Sequence, residues 1–337
     1  MTTEIFFSSP KLGEISDEQL QRVLHRFNLG ELFSFKPTSK GVGQQTLFLQ
    51  SSTGNYVLKG NPLYPGQFIE EKYYIDHLRT TTSLPVPRLY IVDEAEDIFG
   101  WSYAIMSRLS GVHLSDPAAY AGLSDTEREQ VASLLADTLA QMQRWKPASF
   151  GEYKPLEGRI AEFPGGYTSW LYNRIRYWLS DARNYSMVTD QDIEWMENVL
   201  RDSEQAFNEL SIPTFVMGDY KLDNLLFQRQ GDAWGLSGIF DFTTGYFGDG
   251  LADVCRIMNM YLDCGEGERA TQFIREYYLH TTSKFGFAER YRVHMLHQRI
   301  LDWGCAYAIN EVSWDRELSF SAWASQFIEL PEMTIYR

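Results

Sequence analysis

The alternation of apolar and polar positions divides the chain into a strand-rich first part and a helix-rich second part. From residue 32 to about residue 109, short apolar runs are separated by turn residues, and TLFLQ-SSTGN-YVLKG predicts a β-hairpin. One helix is predicted within this part, over roughly 67–79. A helix is also predicted ahead of it, over about 16–29, because Ser16 and Gln19 have the spacing of a capping box.

After residue 109, apolar residues recur mainly at helical spacing. Ser124 with Glu127 predicts the start of one such helix, and Val131, Leu135 and Leu139 form its apolar face. Further helices are predicted over about 167–183, 190–209, 250–262, 267–284 and 288–311, and short buried strands over 215–217, 225–227 and 239–240. The predicted fold class is therefore α+β, with a small β-rich lobe over 1–108 and a large helical lobe over 109–337 that share a cleft.

Composition narrows the classes of function. The chain has 337 residues, of which 44% are hydrophobic, so two packed units are the default expectation. A formal net charge of -15 argues against a nucleic-acid partner and is compatible with a cationic small-molecule substrate. Only three cysteines are present, without CxxC spacing, which favours a reducing compartment over a disulfide scaffold.

Targeting signals are not evident in the sequence. The first ten residues, MTTEIFFSSP, have no basic region, and no segment approaches the roughly 18 apolar residues that span a bilayer. We therefore expect a cytoplasmic protein without a membrane partner; the sequence does not indicate its oligomeric state.

The chemistry is concentrated in two segments, FVMGDYKLDNLLF and GIFDFTTGYFGDG. They place Asp219, Asn224 and Asp241 between short apolar strands, which hold polar side chains on a rigid base. Phosphoryl transfer needs a carboxylate for the acceptor hydroxyl, and a carboxylate and an amide oxygen for Mg²⁺. Taken singly, Asp219 or Asn224 could cap a turn, but an acid flanked by apolar residues, as Asp241 is, needs a partner or an ion.

The first part of the chain contains a pattern suited to phosphate binding. Gly41 and Gly43 precede a strand, where backbone N–H groups could approach phosphate oxygens, although an ordinary glycine turn has the same appearance. Lys59 ends the next strand, and the predicted helix after it carries Glu70 and Glu71. Helical phase favours Glu71 as the partner of Lys59, because Glu71 shares the face that should pack on the sheet.

Together these motifs resemble the aminoglycoside phosphotransferase-type small-molecule kinases of the protein-kinase-like superfamily. MGDYKLDN is similar to the family's HGDxxxxN loop, and FDFTTGYFGDGLADV is similar to its IDFxxxxxGDPxxDL segment. The resemblance, from residue 32 to about residue 260, implies a bilobal kinase fold that uses ATP or GTP with Mg²⁺. It assigns Asp219 as the base, Asn224 and Asp241 as metal ligands, and Lys59 with Glu71 to the phosphates.

The resemblance also implies roles for neighbouring residues. The segment YAIMSRLSG resembles the connection between lobes that binds adenine, so Met106, Ser107 and Leu109 are expected to supply backbone hydrogen bonds. Lys221 is expected to neutralise the γ-phosphate, unless it faces solvent. Asp253 is expected to brace the catalytic loop.

Two positions depart from the family pattern. Met217 occupies the place of the loop histidine, and Gln143 occupies the place of a histidine in LADTLAQMQRW. Neither position handles the proton or the metal, so activity should survive both changes, which could be one compensated repacking.

The acceptor is the least determined part of the prediction. The family and the acidic composition favour a hydroxyl of an aminoglycoside or other cationic amino sugar; the alternatives are a choline, homoserine or methylthioribose type of metabolite kinase, or a non-catalytic nucleotide-binding module. Asp249, Asp302 and Glu311 are candidate ligands for ammonium groups, against the alternative of a solvated acidic face.

His294 and His297 share one helix side, where core packing is expected rather than a metal pair. Trp170 is among the tryptophans that could wall a substrate pocket.

Overall fold

The computed structural model describes residues 14–38 and 45–328. Gly41 and Gly43, which are expected to approach phosphate oxygens, lie outside the described residues. Within the described ranges, no helix combines the length and the apolar character needed to cross a membrane.

The first part of the chain forms a five-stranded antiparallel sheet. Its strands are β1 (Leu32–Pro37), β2 (Gln45–Ser51), β3 (Gly54–Gly60), β4 (Tyr90–Asp93) and β5 (Tyr103–Ser107). Their order is β1-β2-β3-β5-β4, and the predicted hairpin joins β2 to β3. This sheet confirms that the first part of the chain is rich in β-strands, as the predicted α+β class requires. The exact division of the chain between residues 108 and 109 stays a prediction.

Among the residues that the structure describes, two helices pack against this sheet. Helix α1 (Asp17–Arg26) begins with the predicted capping box, in which Ser16 and Gln19 exchange hydrogen bonds. Its apolar face contributes to a core cluster with β2, β3 and β5. Helix α2 (Gln67–Thr81) buries Glu71, Tyr74 and Leu78, and its apolar residues belong to the core of the helical part. The helix α2 therefore connects the sheet with the rest of the molecule.

The second part of the chain is mainly helical. Its helices are α3 (Pro117–Ala121), α4 (Asp125–Met142), α5 (Gly166–Ala182), α6 (Asp190–Asp202), α7 (Glu204–Asn208), α8 (Leu251–Asp263), α9 (Gly267–His280), α10 (Phe287–Ala308) and α11 (Phe320–Ile328). The capping box predicted from Ser124 and Glu127 is present at the start of α4. The single helix predicted over 190–209 is interrupted at Ser203, which caps α6 and starts α7.

Six short strands lie within the described residues of the helical part. They are β6 (Gly151–Lys154), β7 (Arg159–Glu162), β8 (Thr214–Val216), β9 (Leu225–Gln230), β10 (Ala233–Ile239) and β11 (Tyr246–Gly248). Strands β9 and β10 form a hairpin, and the others form a sheet of order β7-β6-β11-β8. The turns after β8 and after β10 carry the residues predicted to be catalytic, so both turns are anchored on paired strands.

Asp249 connects the end of β11 with helix α10 inside the core. One carboxylate oxygen lies 2.6 Å from Nη1 of Arg290, and the other lies 3.1 Å from Nε2 of His294. Burial alone would raise the pKa of Asp249, but Arg290 and His294 hold it well below its ordinary value. The side chain is only 4% exposed, so the expectation that Asp249 binds an ammonium group of the substrate is corrected: its charge is already used within the core.

We predict that Asp249→Asn lowers the free energy of unfolding by about 3 kcal/mol or more at pH 7, because it leaves the Arg290 charge buried without a partner. The pKa of Asp249 is depressed by folding, so its contribution is present above the pKa of an unfolded aspartate, near 4, and declines as pH falls below that value. Urea unfolding at pH 7 and at pH 3.5 measures both effects. The exposed turn residue Asp232 provides the control Asp232→Asn, and an equal loss at both pH values would contradict the assignment.

Candidate active site

Lys59, at the end of β3, forms a buried ion pair with Glu71 of α2. Its Nζ lies 2.9 Å and 3.1 Å from the two carboxylate oxygens of Glu71, and 3.0 Å from Oδ1 of Asp241. Burial would lower the pKa of Lys59, but the Asp241 and Glu71 carboxylates raise it above its ordinary value. Lys59 is therefore a fixed cation that faces the turn after β10.

Glu71 has two further partners besides Lys59. It accepts hydrogen bonds from the Tyr90 hydroxyl and, at 3.1 Å, from the backbone N–H of Phe242. Glu70, the alternative from the sequence, instead accepts from the Tyr64 and Tyr74 hydroxyls at 2.7 Å and 2.8 Å. Helical phase thus selected the correct partner of Lys59, whereas no sequence pattern indicated Tyr90.

Asp241 follows β10 in a left-handed backbone conformation, with φ of 68°. This conformation is uncommon outside glycine, and the surrounding contacts must offset a cost of about 1 kcal/mol or more. Burial would raise the pKa of Asp241, but Lys59 and a 2.9 Å hydrogen bond from the Thr243 hydroxyl lower it. Both contacts use Oδ1, so Oδ2 has no hydrogen-bond partner among the described residues.

Asp219 and Asn224 lie in the turn between β8 and β9. The Asn224 amide nitrogen donates to the backbone oxygen of Asp219 at 2.8 Å and to its carboxylate at 2.9 Å. In residues 14–38 and 45–328, the Asn224 amide oxygen takes part in no hydrogen bond. The N–H of Phe240 donates to the Asn224 carbonyl at 3.2 Å, which ties this turn to the segment that leads to Asp241.

Asp253 holds the turn between β8 and β9, called the catalytic turn below because it carries the predicted catalytic residue Asp219, through its backbone. Its two carboxylate oxygens accept from the N–H groups of Met217 and Gly218, at 2.7 Å and 2.8 Å. Burial raises the pKa of Asp253 to about 7, although the two N–H groups act in the opposite direction. Gly218 has φ of 79°, and a Cβ there would lie 2.4 Å from the Thr244 carbonyl oxygen. The turn therefore requires glycine before Asp219, and Asp253 has the bracing contacts expected from the sequence.

Two cations contact the Asp219 carboxylate. Lys221 Nζ lies 2.8 Å from Oδ2, and Arg256 Nη2 lies 3.3 Å from Oδ1. Lys221 is among the predicted residues, but the sequence reasoning missed Arg256. The signal that could have found it is its position three residues after Asp253, on the same helix, because that spacing places both side chains on one face.

The side-chain oxygens of Asn224 and Asp241 show whether a divalent cation could be bound between the two turns. Asn224 Oδ1 and Asp241 Oδ2 have no hydrogen-bond partners among the described residues, and hard cations such as Mg²⁺ bind oxygen ligands of this kind. Magnesium sites commonly combine one or two carboxylates with phosphate and water. No cluster of three or more His, Cys, Asp or Glu side chains suited to a metal is found in the described part of the chain. The donor set therefore fits a metal that is held jointly with a phosphate ligand.

The strand expected to bind adenine is only partly free to do so. The N–H of Ser107 donates to the Leu89 carbonyl at 3.1 Å, and Met106 pairs with both neighbouring strands. The N–H of Leu109 has no partner among residues 14–38 and 45–328. The N–H of Ser107 is therefore already paired, and the expected backbone contacts of Met106, Ser107 and Leu109 with adenine stay a prediction. Leu109 has the free backbone donor nearest the strand end.

A cavity of about 660 Å³ adjoins the catalytic turn. Gly218 and residues 243–246 line it, and so do Trp170, Arg174 and Arg256. Asp249, Asp302 and Glu311 are not among its lining residues. Asp302 accepts hydrogen bonds from Asn259 and Gln298, both at 2.7 Å, and Glu311 is exposed after the end of α10.

The chain resembles known proteins in sequence and in fold. It is 31% identical over 150 residues to a homoserine kinase from Methylorubrum populi, a match that covers 40% of this chain and 45% of that protein. The chain spans less than half the length of the curated relatives it matches.

Two solved structures have a similar fold. A variant of aminoglycoside phosphotransferase APH(4)-Ia, in a complex with ADP and hygromycin B, has a TM-score of 0.61 and 17% identity, covering 94% of this chain and 98% of that chain. Aminoglycoside 2'-phosphotransferase-IIIa, in a complex with GDP, has a TM-score of 0.60 and 14% identity, covering 95% and 99%. Identities this low establish the shared fold alone, which is the kinase-like α+β arrangement expected from the motifs.

The sequence also matches a family profile, that of the phosphotransferase enzyme family APH, over residues 34–290. This range is most of the chain and contains Lys59, Glu71, Asp219, Asn224 and Asp241. The chain therefore belongs to the APH phosphotransferase enzyme family.

Proposed function

We propose that this protein transfers the γ-phosphoryl group of ATP, or of GTP, to a hydroxyl of a small molecule bound in the 660 Å³ cavity. The main observation behind the proposal is that the turn after β8 and the turn after β10 lie side by side. Asp219 and Asn224 are hydrogen-bonded in one turn, and Lys59 contacts Asp241 in the other. The family match and the nucleotides in the two solved structures support it.

In this proposal the nucleotide lies between the sheet and the catalytic turns. Lys59, oriented by Glu71, binds the α- and β-phosphates. The adenine or guanine ring of the nucleotide contacts the N–H of Leu109, which has no partner among the described residues. Asn224 Oδ1 and Asp241 Oδ2 would hold Mg²⁺, which supplies charge neutralisation at the phosphates when it is bound. Gly41 and Gly43 are proposed to contact the phosphates through their backbone N–H groups.

Asp219 is proposed to act on the acceptor. Its carboxylate aligns the hydroxyl and takes its proton as the acceptor oxygen bonds to the γ-phosphorus. The bond from that phosphorus to the β–γ bridging oxygen breaks, and the nucleoside diphosphate leaves. Lys221, 2.8 Å from Asp219, is placed to neutralise charge on the transferred group.

Two acceptor classes follow from the relatives. The aminoglycoside phosphotransferases among similar structures favour an amino sugar, whereas the homoserine kinase relative favours a smaller metabolite. A non-catalytic nucleotide-binding module is the third possibility, and the presence of Lys59, Asp219, Asn224 and Asp241 argues against it. The free thiols of Cys255, Cys264 and Cys305 are compatible with a cytoplasmic location.

We predict that Asp219→Asn lowers kcat by about 10²- to 10⁴-fold while MgATP affinity changes little, because the carboxylate handles the acceptor proton. ADP release in the presence of an identified acceptor measures the first quantity, and calorimetry measures the second. Asp223→Asn is the matched control, since Asp223 is an exposed acid in the same turn. Full turnover in Asp219→Asn would remove Asp219 from the role of base.

A second prediction uses two neighbouring acids of α2. Glu71→Gln should weaken MgATP binding by about tenfold or more, because Lys59 loses the carboxylate that orients it; tenfold corresponds to about 1.4 kcal/mol. Glu70→Gln should leave nucleotide affinity unchanged, since Glu70 contacts two tyrosines rather than Lys59. Equal effects of the two substitutions on the dissociation constant would contradict the assigned role of Glu71.

A further inference from the structure

The cavity beside Asp219 is lined by both acidic and basic side chains. Glu70, Glu152 and Glu157 line one part, together with Tyr64 and Lys154. Arg174, Arg256, His294 and His297 line another part, next to Trp170 and Tyr246. The charge that a substrate meets depends on which of these groups are already neutralised by protein partners.

The three acids are all partnered. Glu70 accepts hydrogen bonds from two tyrosine hydroxyls, and burial raises its pKa. Glu152 pairs with Lys154 at 2.8 Å, and Glu157 pairs with Arg159. Glu152 and Glu157 are therefore balanced by cations and offer little uncompensated negative charge to an ammonium group, while the oxygens of Glu70 are occupied by neutral hydroxyls.

Arg174 is different, because it has no acidic partner within 4 Å among the described residues. Its guanidinium lies over the Trp170 ring, 4.9 Å from the ring centroid. Trp170 in turn packs against Tyr246, with ring centroids 5.1 Å apart. Stacking on an aromatic wall orients an arginine while leaving its N–H groups free for a planar anion.

The two histidines add unpartnered nitrogens to the same part of the cavity. His294 is 2% exposed; its Nε2 contacts Asp249, and its Nδ1 is buried without a hydrogen bond. His297 Nε2 is likewise buried without a partner in the described part of the chain. Burial lowers the pKa of His297 well below its ordinary value, and the nearby charges of Arg174, His294 and Arg256 lower it further. These groups therefore lie close together in the cavity. Buried polar atoms without protein partners in a cavity are positions where a ligand or water can bind.

Arg256 connects this group to the site of phosphoryl transfer. It lines the cavity, its Nη2 lies 3.3 Å from Asp219, and its Nε is buried without a hydrogen bond to any described residue. A molecule with an anionic group near Arg174 and the histidines could therefore extend past Arg256 and present a hydroxyl to Asp219.

We propose that Arg174, Arg256 and the Nε2–H group of His297 bind an anionic group of the acceptor, a carboxylate or a phosphate ester, so that the substrate is an anionic alcohol rather than a cationic amino sugar. This inference rests on the proposed function for the role of Asp219 as the transfer site. The reaction is unchanged: the acceptor oxygen bonds to the γ-phosphorus, the bond to the bridging oxygen breaks, and Asp219 takes the proton.

The preference of the enzyme for an anionic, neutral or cationic acceptor is tested with four probes that share a terminal hydroxyl and a four-carbon chain. They are 4-hydroxybutyrate, 4-hydroxybutyl phosphate, n-butanol and 4-aminobutanol, with a six-carbon set to sample the cavity length. We expect kcat/KM for at least one anionic probe to exceed that of n-butanol by about tenfold or more, and the amine to be the poorest acceptor. The carboxylate and phosphate probes separate the two anionic classes. A preference for the amine would overturn the inference and leave the kinase proposal intact.

Substitutions at Arg174 test the residue assignment. Arg174→Gln should lower the ratio of kcat/KM for the anionic probe to that for n-butanol by about tenfold, mainly through KM. Arg174→Lys should retain part of the ratio, and Arg174→Glu should move the preference toward the amine. Arg201→Gln, an exposed arginine of α6, is the matched control and should leave the ratio unchanged. An unchanged ratio in Arg174→Gln would overturn the inference.

Calorimetric binding of the same probes separates the two proposals. If no probe is phosphorylated but anionic probes bind to the wild type and lose affinity in Arg174→Gln, the anion site stands and the transfer function fails. If anionic probes neither bind nor react, the anion site is refuted.

Discussion

The buried carboxylate of Glu71 is the contact on which the active-site geometry depends. It joins three elements that are distant in sequence: Lys59 on β3, Tyr90 on β4 and the backbone N–H of Phe242 after β10. A fully buried acid is costly unless each lone pair finds a donor, and here three donors surround it. Because one of those donors is next to Asp241, the same carboxylate that orients the lysine also fixes the start of the proposed metal-binding turn.

Much of this arrangement could be predicted from sequence because it depends on local spacing. The capping boxes at Ser16 and Ser124 and the hairpin from β2 to β3 follow from a few adjacent residues. Helical phase distinguished Glu71 from Glu70 because neighbouring positions on a helix point in different directions. The pattern of apolar residues did not predict strands β6, β7 and β11 or helices α3 and α11, because these segments of three to nine residues are too short to show a clear period.

The acceptor site could not be predicted in the same way. The net charge of -15 favoured a cationic substrate, yet it describes the whole surface. In the cavity the acids have hydrogen-bond or ionic partners, and Arg174 has no acidic partner among the described residues. Asp249 was expected at the substrate and is instead paired with Arg290 inside the core. Asp249 and Arg290 are 41 positions apart, and a single sequence does not reveal which acid meets which base.

The backbone support of the catalytic turn bears on how this chain differs from its family. The Asp253 carboxylate accepts hydrogen bonds from the backbone N–H groups of residues 217 and 218. These bonds do not depend on which side chain stands at position 217. Met217 is completely buried and contributes only packing. The backbone before Asp219 is thus held without an imidazole at position 217, where another apolar side chain of similar volume would meet the same packing requirement.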